Sequence, residues 1–386
     1  MASPRKSAQE TPLLSKHEHS VLVLQGGGAL GAYQAGVYEG MAEHKFAPDW
    51  VTGVSIGAIN AALIAGNAPE RRIPRLREFW DLVSSGNLVE PPSLFDPLRG
   101  AINRLSATAT ATFGVPGFFQ PRFPPSYMLP EGAPGAMSIY DTSPLRDTLL
   151  KMIDFKVIND TDKSRSIRLS MGAVNVHTGN SVYFDNHKQQ IGPGHIMASG
   201  ALPPGFPAVV IDGDHYWDGG IVSNSPLWYV LDDMPQINAL IAQVDLFSAR
   251  GDLPTSLDEV LERAKDIQFS SKTRFNTNRI KELEAMRGAL GRLLKKLPPK
   301  MRDDADVVAL RPLAEFKRSV TLMHLINRRL SHSSSAKDYE FSRVTVRELW
   351  ATGLADVRRS CAHANWHYWR EVAECEEGIQ ILDLAD

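Results

Sequence analysis

The sequence predicts an α/β fold built on a parallel central sheet, and two stretches near its start support that prediction. Residues 21–24 (VLVL) form an apolar run that stops at three glycines, followed by small and apolar residues at helical spacing. Residues 51–54 (VTGV) form a second apolar run, followed by an almost wholly apolar helical segment over 55–65. Apolar runs without alternation are typical of strands buried on both faces of a parallel sheet. Two strand–turn–helix units this close together indicate adjacent loops at one end of such a sheet.

The remaining elements are predicted from periodicity and from turn residues. We expect helices over 70–83, 143–153, 196–202, 257–297 and 344–369 and from about 226, and strands over 167–174, 181–184, 208–211, 215–217 and 240–247. Residues 320–326 fit a strand or a helix equally well.

Composition limits the class of protein. Of the 386 residues, 43% are hydrophobic and 22% charged, and the formal net charge of -2 gives no case for nucleic-acid binding. Two cysteines without a partner motif, Cys361 and Cys375, argue against a disulfide scaffold and fit a reducing compartment. The longest near-continuous apolar stretch, residues 56–66, is too short to span a bilayer. We therefore expect a soluble, cytoplasmic protein that touches membranes at most peripherally.

Three segments differ in composition from the rest of the chain. Residues 1–18 are polar and predict a disordered leader. Residues 91–144 are rich in proline and aromatic residues without a regular period, which fits a lid or groove wall for an apolar ligand, or an irregular insertion packed on the core. Residues 251–386 predict a mostly helical extension. Within it, the basic helix 286–302 carries an apolar stripe, so it could lie on an anionic membrane or be an ordinary exposed helix.

The glycine turn at residues 26–31 (GGGALG) can be interpreted in three ways. It satisfies G-x-G-x-x-G between a strand and a helix, which is the dinucleotide-binding pattern. That pattern also asks for an acidic residue at the end of the second strand, and Asp49 instead precedes that strand. The turn could also be purely structural, or its backbone N–H groups could stabilise an oxyanion.

Ser55 lies in a G-x-S-x-G pattern between Gly53 and Gly57. Glycines on both sides let the backbone take a strained elbow that exposes the hydroxyl, and the N-terminal dipole of the following helix favours developing negative charge there. The pattern predicts a nucleophile, while a plain tight turn is the alternative.

A serine nucleophile needs a base, and Asp218 is the best candidate. The histidines after residue 230 follow no clear strand end and fit core or surface roles: His324, His332, His363 and His367. Asp218 leaves a β-hairpin and precedes Gly219 and Gly220, which permit an unusual turn. A carboxylate within reach of the Ser55 hydroxyl could take its proton directly.

These three motifs in this order resemble the patatin-like phospholipase family. The resemblance covers roughly residues 19–250 and includes ASGALPPGFPAV from Ala198 and the Ser225–Pro226 pair, while residues 251–386 look like the C-terminal extension of a bacterial subgroup. It implies a three-layer α/β/α core with a mainly parallel sheet and hydrolysis of lipid acyl esters through a Ser55–Asp218 dyad. It also implies an oxyanion hole from Gly26, Gly27 and Gly28, to which we add the N–H of Ile56. The supporting motif glycines are Gly31, Gly53, Gly57, Gly219 and Gly220.

The chain departs from the family at Leu30, where many relatives carry an arginine or lysine that could contact a phosphate head group. An esterase or thioesterase acting on other acyl groups is therefore an alternative substrate class, and a nucleotide-binding module or a non-catalytic scaffold are alternatives of another class. We expect a lipid or acyl ester as the substrate, with no metal, no organic cofactor and no nucleic acid. The sequence leaves the oligomeric state open.

Overall fold

The structure is a computed structural model. It describes residues 19–86, 96–162, 166–234, 238–314, 319–328, 335–362 and 378–383. The predicted leader 1–18 lies outside the described residues, as do His332, His363, His367 and Cys375.

Strands and helices alternate along the first half of the chain. The strands are β1 His19–Leu24, β2 Trp50–Val54, β3 Gln120–Pro121, β4 Tyr140–Asp141, β5 Arg168–Asn175, β6 Ser181–Asp185, β7 Val209–Ile211, β8 Asp214–Asp218, β9 Ala239–Asp245, β10 Ser319–Ile326 and β11 Gly378–Asp383. The helices are α1 Gly31–Glu43, α2 Ile56–Ala65, α3 Pro69–Val83, α4 Asp96–Phe113, α5 Ser143–Met152, α6 Phe155–Ile158, α7 Pro193–Ser199, α8 Leu227–Asp233, α9 Leu257–Lys296, α10 Ala305–Ala314 and α11 Arg343–Ala362.

One sheet organises the described residues. Its order is β11-β10-β9-β1-β2-β5-β8-β7, with β6 also paired to β5. The pairs from β11 to β5 are parallel, whereas β6, β7 and β8 join in antiparallel hairpins. Because β1 pairs with β2 in the register Leu24 to Gly53, the loops that follow these two strands lie side by side.

Both faces of the sheet are covered, which explains why β1 has no alternation of polar and apolar residues. Leu22 and Leu24 pack in one cluster with α1, α2, α3 and α11. Val21 and Val23 pack in a second cluster with α8. Since successive side chains of a strand point to opposite faces, the two clusters lie on opposite sides of the sheet. The predicted three-layer α/β/α core with a mainly parallel sheet is confirmed.

The proline-rich insertion contains more regular structure than its sequence indicated. Residues 96–113 form α4, and the two short strands β3 and β4 pair further on. Within α4 only the first turn holds a proline, and the other prolines of the insertion lie outside this helix. The average composition of the whole insertion therefore hides the helix. Residues 91–95 lie outside the described residues.

The segment after residue 250 is mostly helical and also extends the central sheet. Residues 319–326 form a strand, which resolves the strand-or-helix ambiguity, and β10 pairs with β9 in parallel. Helix α11 packs along α1 at close range, since a Cβ on Gly36 would lie 1.9 Å from the carbonyl oxygen of Trp350. The Tyr33 hydroxyl donates to Asp356 at 2.7 Å across the same contact. Helix α1 is therefore covered by a helix more than 300 residues later in the chain.

Candidate active site

Ser55 occupies a sharp turn between β2 and α2. Its backbone has φ 57°, a left-handed conformation that is rare for a residue with a Cβ. Strain of this kind typically costs about 1–3 kcal/mol and persists only where the surroundings enforce it. The two motif glycines allow the turn to close, since a Cβ on Gly53 would lie 2.3 Å from the Gly57 carbonyl group. A Cβ on Gly57 would lie 2.4 Å from the carbonyl oxygen of Leu24.

A buried serine holds this turn in place. The N–H of Ser55 donates to both the carbonyl oxygen and the hydroxyl oxygen of Ser199, at 3.0 and 3.1 Å. The Ser199 hydroxyl in turn donates to the carbonyl oxygen of Gly172 in β5, at 2.6 Å. Helix α7 and strand β5 thus fix the backbone of Ser55 through bonds in which its side chain takes no part.

Asp218 ends β8 and lies beside Ser55 in the same cavity. It is 1% exposed, and its Oδ1 accepts a hydrogen bond from the N–H of Gly220 at 2.7 Å. Burial raises the pKa of the Asp218 carboxyl to about 6, while hydrogen bonding from the Ser55 side chain and the Gly220 backbone acts in the opposite direction. A carboxyl with this pKa is ionised at neutral pH and retains affinity for a proton.

The glycine loop after β1 lies against the same cavity, and its three N–H groups differ. The N–H of Gly26 donates to the carbonyl oxygen of Asn224 at 3.2 Å, so that group is engaged within the protein. Among the described residues, no backbone acceptor is found for the N–H groups of Gly27 and Gly28. Ile56 begins α2, where an N–H has no acceptor within the helix. Of the four N–H groups that the sequence predicts for an oxyanion hole, that of Gly26 is thus bonded within the protein, and the described residues offer no backbone acceptor to those of Gly27, Gly28 and Ile56.

Asn224 joins the glycine loop to the loop that follows Asp218. Its side-chain Nδ2 donates to the carbonyl oxygen of Gly26 at 3.0 Å, and its backbone carbonyl oxygen accepts from the N–H of Gly26. Gly219 and Gly220 lie in the turn between Asp218 and Asn224, and Gly31 packs against Ile56 at the start of α1. The three sequence motifs thus meet in one place, although about 160 residues separate the second from the third.

Residues from the last part of the chain complete the wall of the cavity. Asp338, Tyr339 and Phe341 line it together with the aromatic residues Phe118 and Phe119. The carbonyl oxygen of Asp338 lies so close to Gly28 that a Cβ there would approach it to 2.2 Å, and Gly28 also has φ +56°. Only glycine satisfies both conditions at this position.

Two family models match the sequence. The first, described as patatin-like phospholipase, matches residues 22–231, which is more than half of the chain. The chain belongs to the patatin-like phospholipase family. At the family level this means lipid acyl hydrolysis. The second model, described as patatin phospholipase, matches residues 267–371 of the C-terminal extension.

Comparisons with individual proteins add little to the family assignment. No curated protein gives a significant match. The crystal structure of VipD from Legionella pneumophila is similar with 14% identity and a TM-score of 0.35, covering 89% of this chain and 66% of that one. The patatin-like chain thus spans less than two thirds of the length of VipD.

Asp49 and His324 lie away from the patatin-like motifs, whereas Leu30 belongs to the glycine motif. Asp49 is at the amino end of β2, where it contacts His19 at 2.6 Å, whereas a ribose-binding acid would be needed at the carboxyl end. His324 is on β10 and contacts Asp245 of β9 at 2.5 Å. Leu30 is buried in the core of the patatin-like domain, at 4% exposure.

Three parts of the site were not predicted from the sequence: Ser199, Asn224 and the segment 335–342. The first two fall in or beside blocks that resemble the family, ASGALPPGFPAV and Ser225–Pro226, but a block match assigns no contact. Segment 335–342 carries no motif at all.

Among the described residues, no helix is long and apolar enough to cross a bilayer.

Proposed function

We propose that this protein is a serine hydrolase of lipid acyl esters, with Ser55 as the nucleophile and Asp218 as the general base. The observation that carries the proposal is the fully buried Asp218 carboxyl, with a pKa of about 6, beside a serine hydroxyl on a strained turn. A buried carboxylate with no solvent to stabilise its charge is a stronger proton acceptor than an exposed one.

The proposed reaction has two steps. As the Ser55 Oγ attacks the carbonyl carbon of the ester, its proton passes to Asp218, and the oxyanion lies against the N–H groups of Gly27, Gly28 and Ile56. When the carbon–oxygen bond to the alcohol breaks, Asp218 returns the proton to the departing alcohol. In the second step Asp218 takes a proton from water, the hydroxide attacks the acyl-enzyme, and Ser55 is released with its proton restored.

The site favours esters with an uncharged group near the scissile bond. Phe118, Phe119, Phe206, Phe247 and Phe269 line the cavity, and Leu30 is buried where a cation would be needed for a phosphate group. Neutral acyl esters are therefore the second candidate substrate class, alongside phospholipids. A panel of acylglycerols, soluble esters and phospholipid vesicles separates the two by their relative kcat/KM.

The decisive experiment uses Ser55→Ala. We expect loss of ester hydrolysis and of covalent labelling by a fluorophosphonate in a protein that still folds, because the bonds that hold the turn come from the Ser55 backbone N–H. Conversion of Ser85, an exposed serine on α3's C-terminal side, to Ala is the matched control and should retain both properties. Hydrolysis that persists in Ser55→Ala would exclude the dyad.

Peripheral membrane contact through residues 286–302 is part of the same proposal. The end of α9 exposes Met286 and Leu293 at 63% and 57%, beside Lys295 and Lys296. Apolar side chains flanked by cations suit the surface of an anionic bilayer. Co-sedimentation with phosphatidylglycerol vesicles should fall when both lysines are changed to glutamate, and equal sedimentation of the two proteins would contradict this part.

A further inference from the structure

The cavity that contains the candidate dyad shares two lining residues with a second cavity, and the two differ greatly in volume. The cavity that contains Ser55 and Asp218 measures about 80 Å³. The neighbouring cavity measures about 610 Å³. Ligand sites in proteins usually occupy about 300–1,000 Å³. The first cavity has room for an ester group, whereas the second has the volume of a ligand site.

Phe119 and Phe341 form the common wall, since both line both cavities. They are 2% and 3% exposed. The ring of Phe119 packs against that of Tyr140 with 4.7 Å between the ring centroids, and the ring of Phe341 packs against that of Phe118 with 6.0 Å between the centroids. Both residues that the two cavities share are thus aromatic and buried.

The larger cavity is lined by groups that suit a hydrocarbon. Its walls include Val83, Ala109, Val115, Pro116 and the ring of Phe119, and none of its described lining residues is charged. Burial of each methylene in such surroundings is favourable, and a polar or ionic ligand would find few partners there.

A specific contact holds opposite walls of the larger cavity together. Ala109 and Thr110 come from α4, whereas Phe341 comes from segment 335–342. The Ser106 hydroxyl of α4 donates to Oε1 of Glu340, the residue before Phe341, and Glu340 is 2% exposed. The insertion and the C-terminal extension therefore build this cavity jointly.

We propose that the larger cavity binds the acyl chain of the substrate, and that Phe119 and Phe341 form the passage from the ester site into it. The proposal rests on the proposed function, because it assigns the acyl part of the ester that Ser55 would attack. It makes this protein selective for long unbranched acyl chains, with a length limit set by the residues of α4 and not by the dyad.

The test fills the cavity from α4. Ala109→Trp places a large side chain into it, and Thr112→Trp on the exposed side of the same helix is the matched control. With p-nitrophenyl esters, we expect kcat/KM for palmitate to fall at least about tenfold in Ala109→Trp, since each excluded methylene changes binding about fourfold. Hydrolysis of the butyrate ester should be unchanged, and Thr112→Trp should match the wild type on both.

Binding gives a second readout that does not depend on activity. The Ser55→Ala protein should bind the fluorescent fatty acid parinaric acid, and Ala109→Trp added to it should weaken that binding at least about tenfold. If Ala109→Trp lowers the melting temperature, Phe341→Ala replaces it as the test variant, because it shortens a lining side chain and adds no bulk. It should change the palmitate-to-butyrate ratio in the same assay.

The outcomes separate the two proposals. If butyrate hydrolysis depends on Ser55 but Ala109→Trp and Phe341→Ala leave both the chain-length ratio and parinaric acid binding unchanged, the acyl cavity is wrong and the dyad stands. If parinaric acid binds and Ala109→Trp removes binding while no ester is hydrolysed, the cavity stands and the proposed reaction fails. Absence of parinaric acid binding to the Ser55→Ala protein overturns the cavity assignment.

Discussion

Helices α2 and α9 differ in which of their residues are buried. Every residue of α2 from Ile56 to Ala65 is buried, and eight of the ten are alanine, isoleucine or leucine. Near the start of α9 the buried residues are polar, namely Glu262, Asp266 and Ser270. Four of its apolar residues there are exposed, namely Leu257, Val260, Leu261 and Ile267, while Phe269 packs against Phe247. The first helix is held by hydrophobic packing, whereas the start of the second combines buried polar contacts with one aromatic contact.

The candidate active site therefore has two walls that are held by different kinds of contact. The wall with Ser55 adjoins α2, whose ten buried residues carry no charge. The wall with Tyr339 and Phe341 follows segment 335–342, which α9 holds through ion pairs. Lys337 contacts Asp266 at 2.6 Å and Glu262 at 3.2 Å, and Lys265 contacts Asp338 at 2.7 Å. Interactions of this kind depend on pH and on the presence of both partners.

The largest effect is expected on the dyad side. Asp218→Asn should lower kcat/KM about a hundredfold to ten-thousandfold, because the amide cannot accept the serine proton. In the wild type, kcat/KM should fall about tenfold per pH unit below pH 6, as the carboxyl whose pKa is about 6 becomes protonated. A pH–rate profile of kcat/KM checks this, and a profile that stays flat down to pH 4 would contradict the role of Asp218.

Asp218→Asn should lower activity but raise the free energy of unfolding. Because the folded-state pKa of Asp218 is raised to about 6, the wild type loses stability as the pH rises from the ordinary aspartate range to that value. Asn lacks this cost, so Asp218→Asn should be more stable above pH 6 by up to about 3 kcal/mol. At pH 4 the two proteins should unfold at similar urea concentrations.

The next effect concerns the ion-paired wall. Lys337→Met removes the cation that Glu262 and Asp266 share, at 2% and 9% side-chain exposure, and should destabilise the protein by about 3–5 kcal/mol because two buried carboxylates each lose an ion pair. Arg279→Met is the control, since its pair with Glu282 is more than half exposed on both sides and is worth at most about 1 kcal/mol. Equal urea midpoints for the two variants would show that segment 335–342 is held by packing instead.

The third effect compares the two helices directly. Leu63→Ala in α2 removes a fully buried side chain and should cost about 2–5 kcal/mol. Leu257→Ala in α9 removes one that is 75% exposed and should change the free energy of unfolding by less than about 0.5 kcal/mol. A large cost for Leu257→Ala would mean that a partner covers this face of α9 in solution.

The tight turns that hold Ser55 and Asp218 could be predicted from the sequence because their signals are local. Gly53, Gly57, Gly219 and Gly220 each mark a turn within a few residues of the side chain in question, and steric demands on a turn are readable from its own residues. The strand before Ser55 was predictable for the same reason, since burial on both faces leaves a continuous apolar run. The catalytic roles of Ser55 and Asp218 stay predictions until they are tested in solution.

The rest of the site depends on contacts between distant segments. Ser199 acts on Ser55 across 144 residues, and Asn224 acts on Gly26 across 198. Neither side chain differs locally from an ordinary buried polar residue, so that no pattern could separate them. Helix α4 was missed for another reason, because the prolines around it dominate the composition of the insertion.

The close approach of Gly36 to Trp350 has a consequence for synthesis of the protein. Helix α11, which covers α1, is synthesised about 300 residues after it. At about 5–20 residues per second, the covered surface of α1 is exposed for some tens of seconds in every new chain. During that time the nascent protein presents an uncovered, glycine-containing helix face to its neighbours.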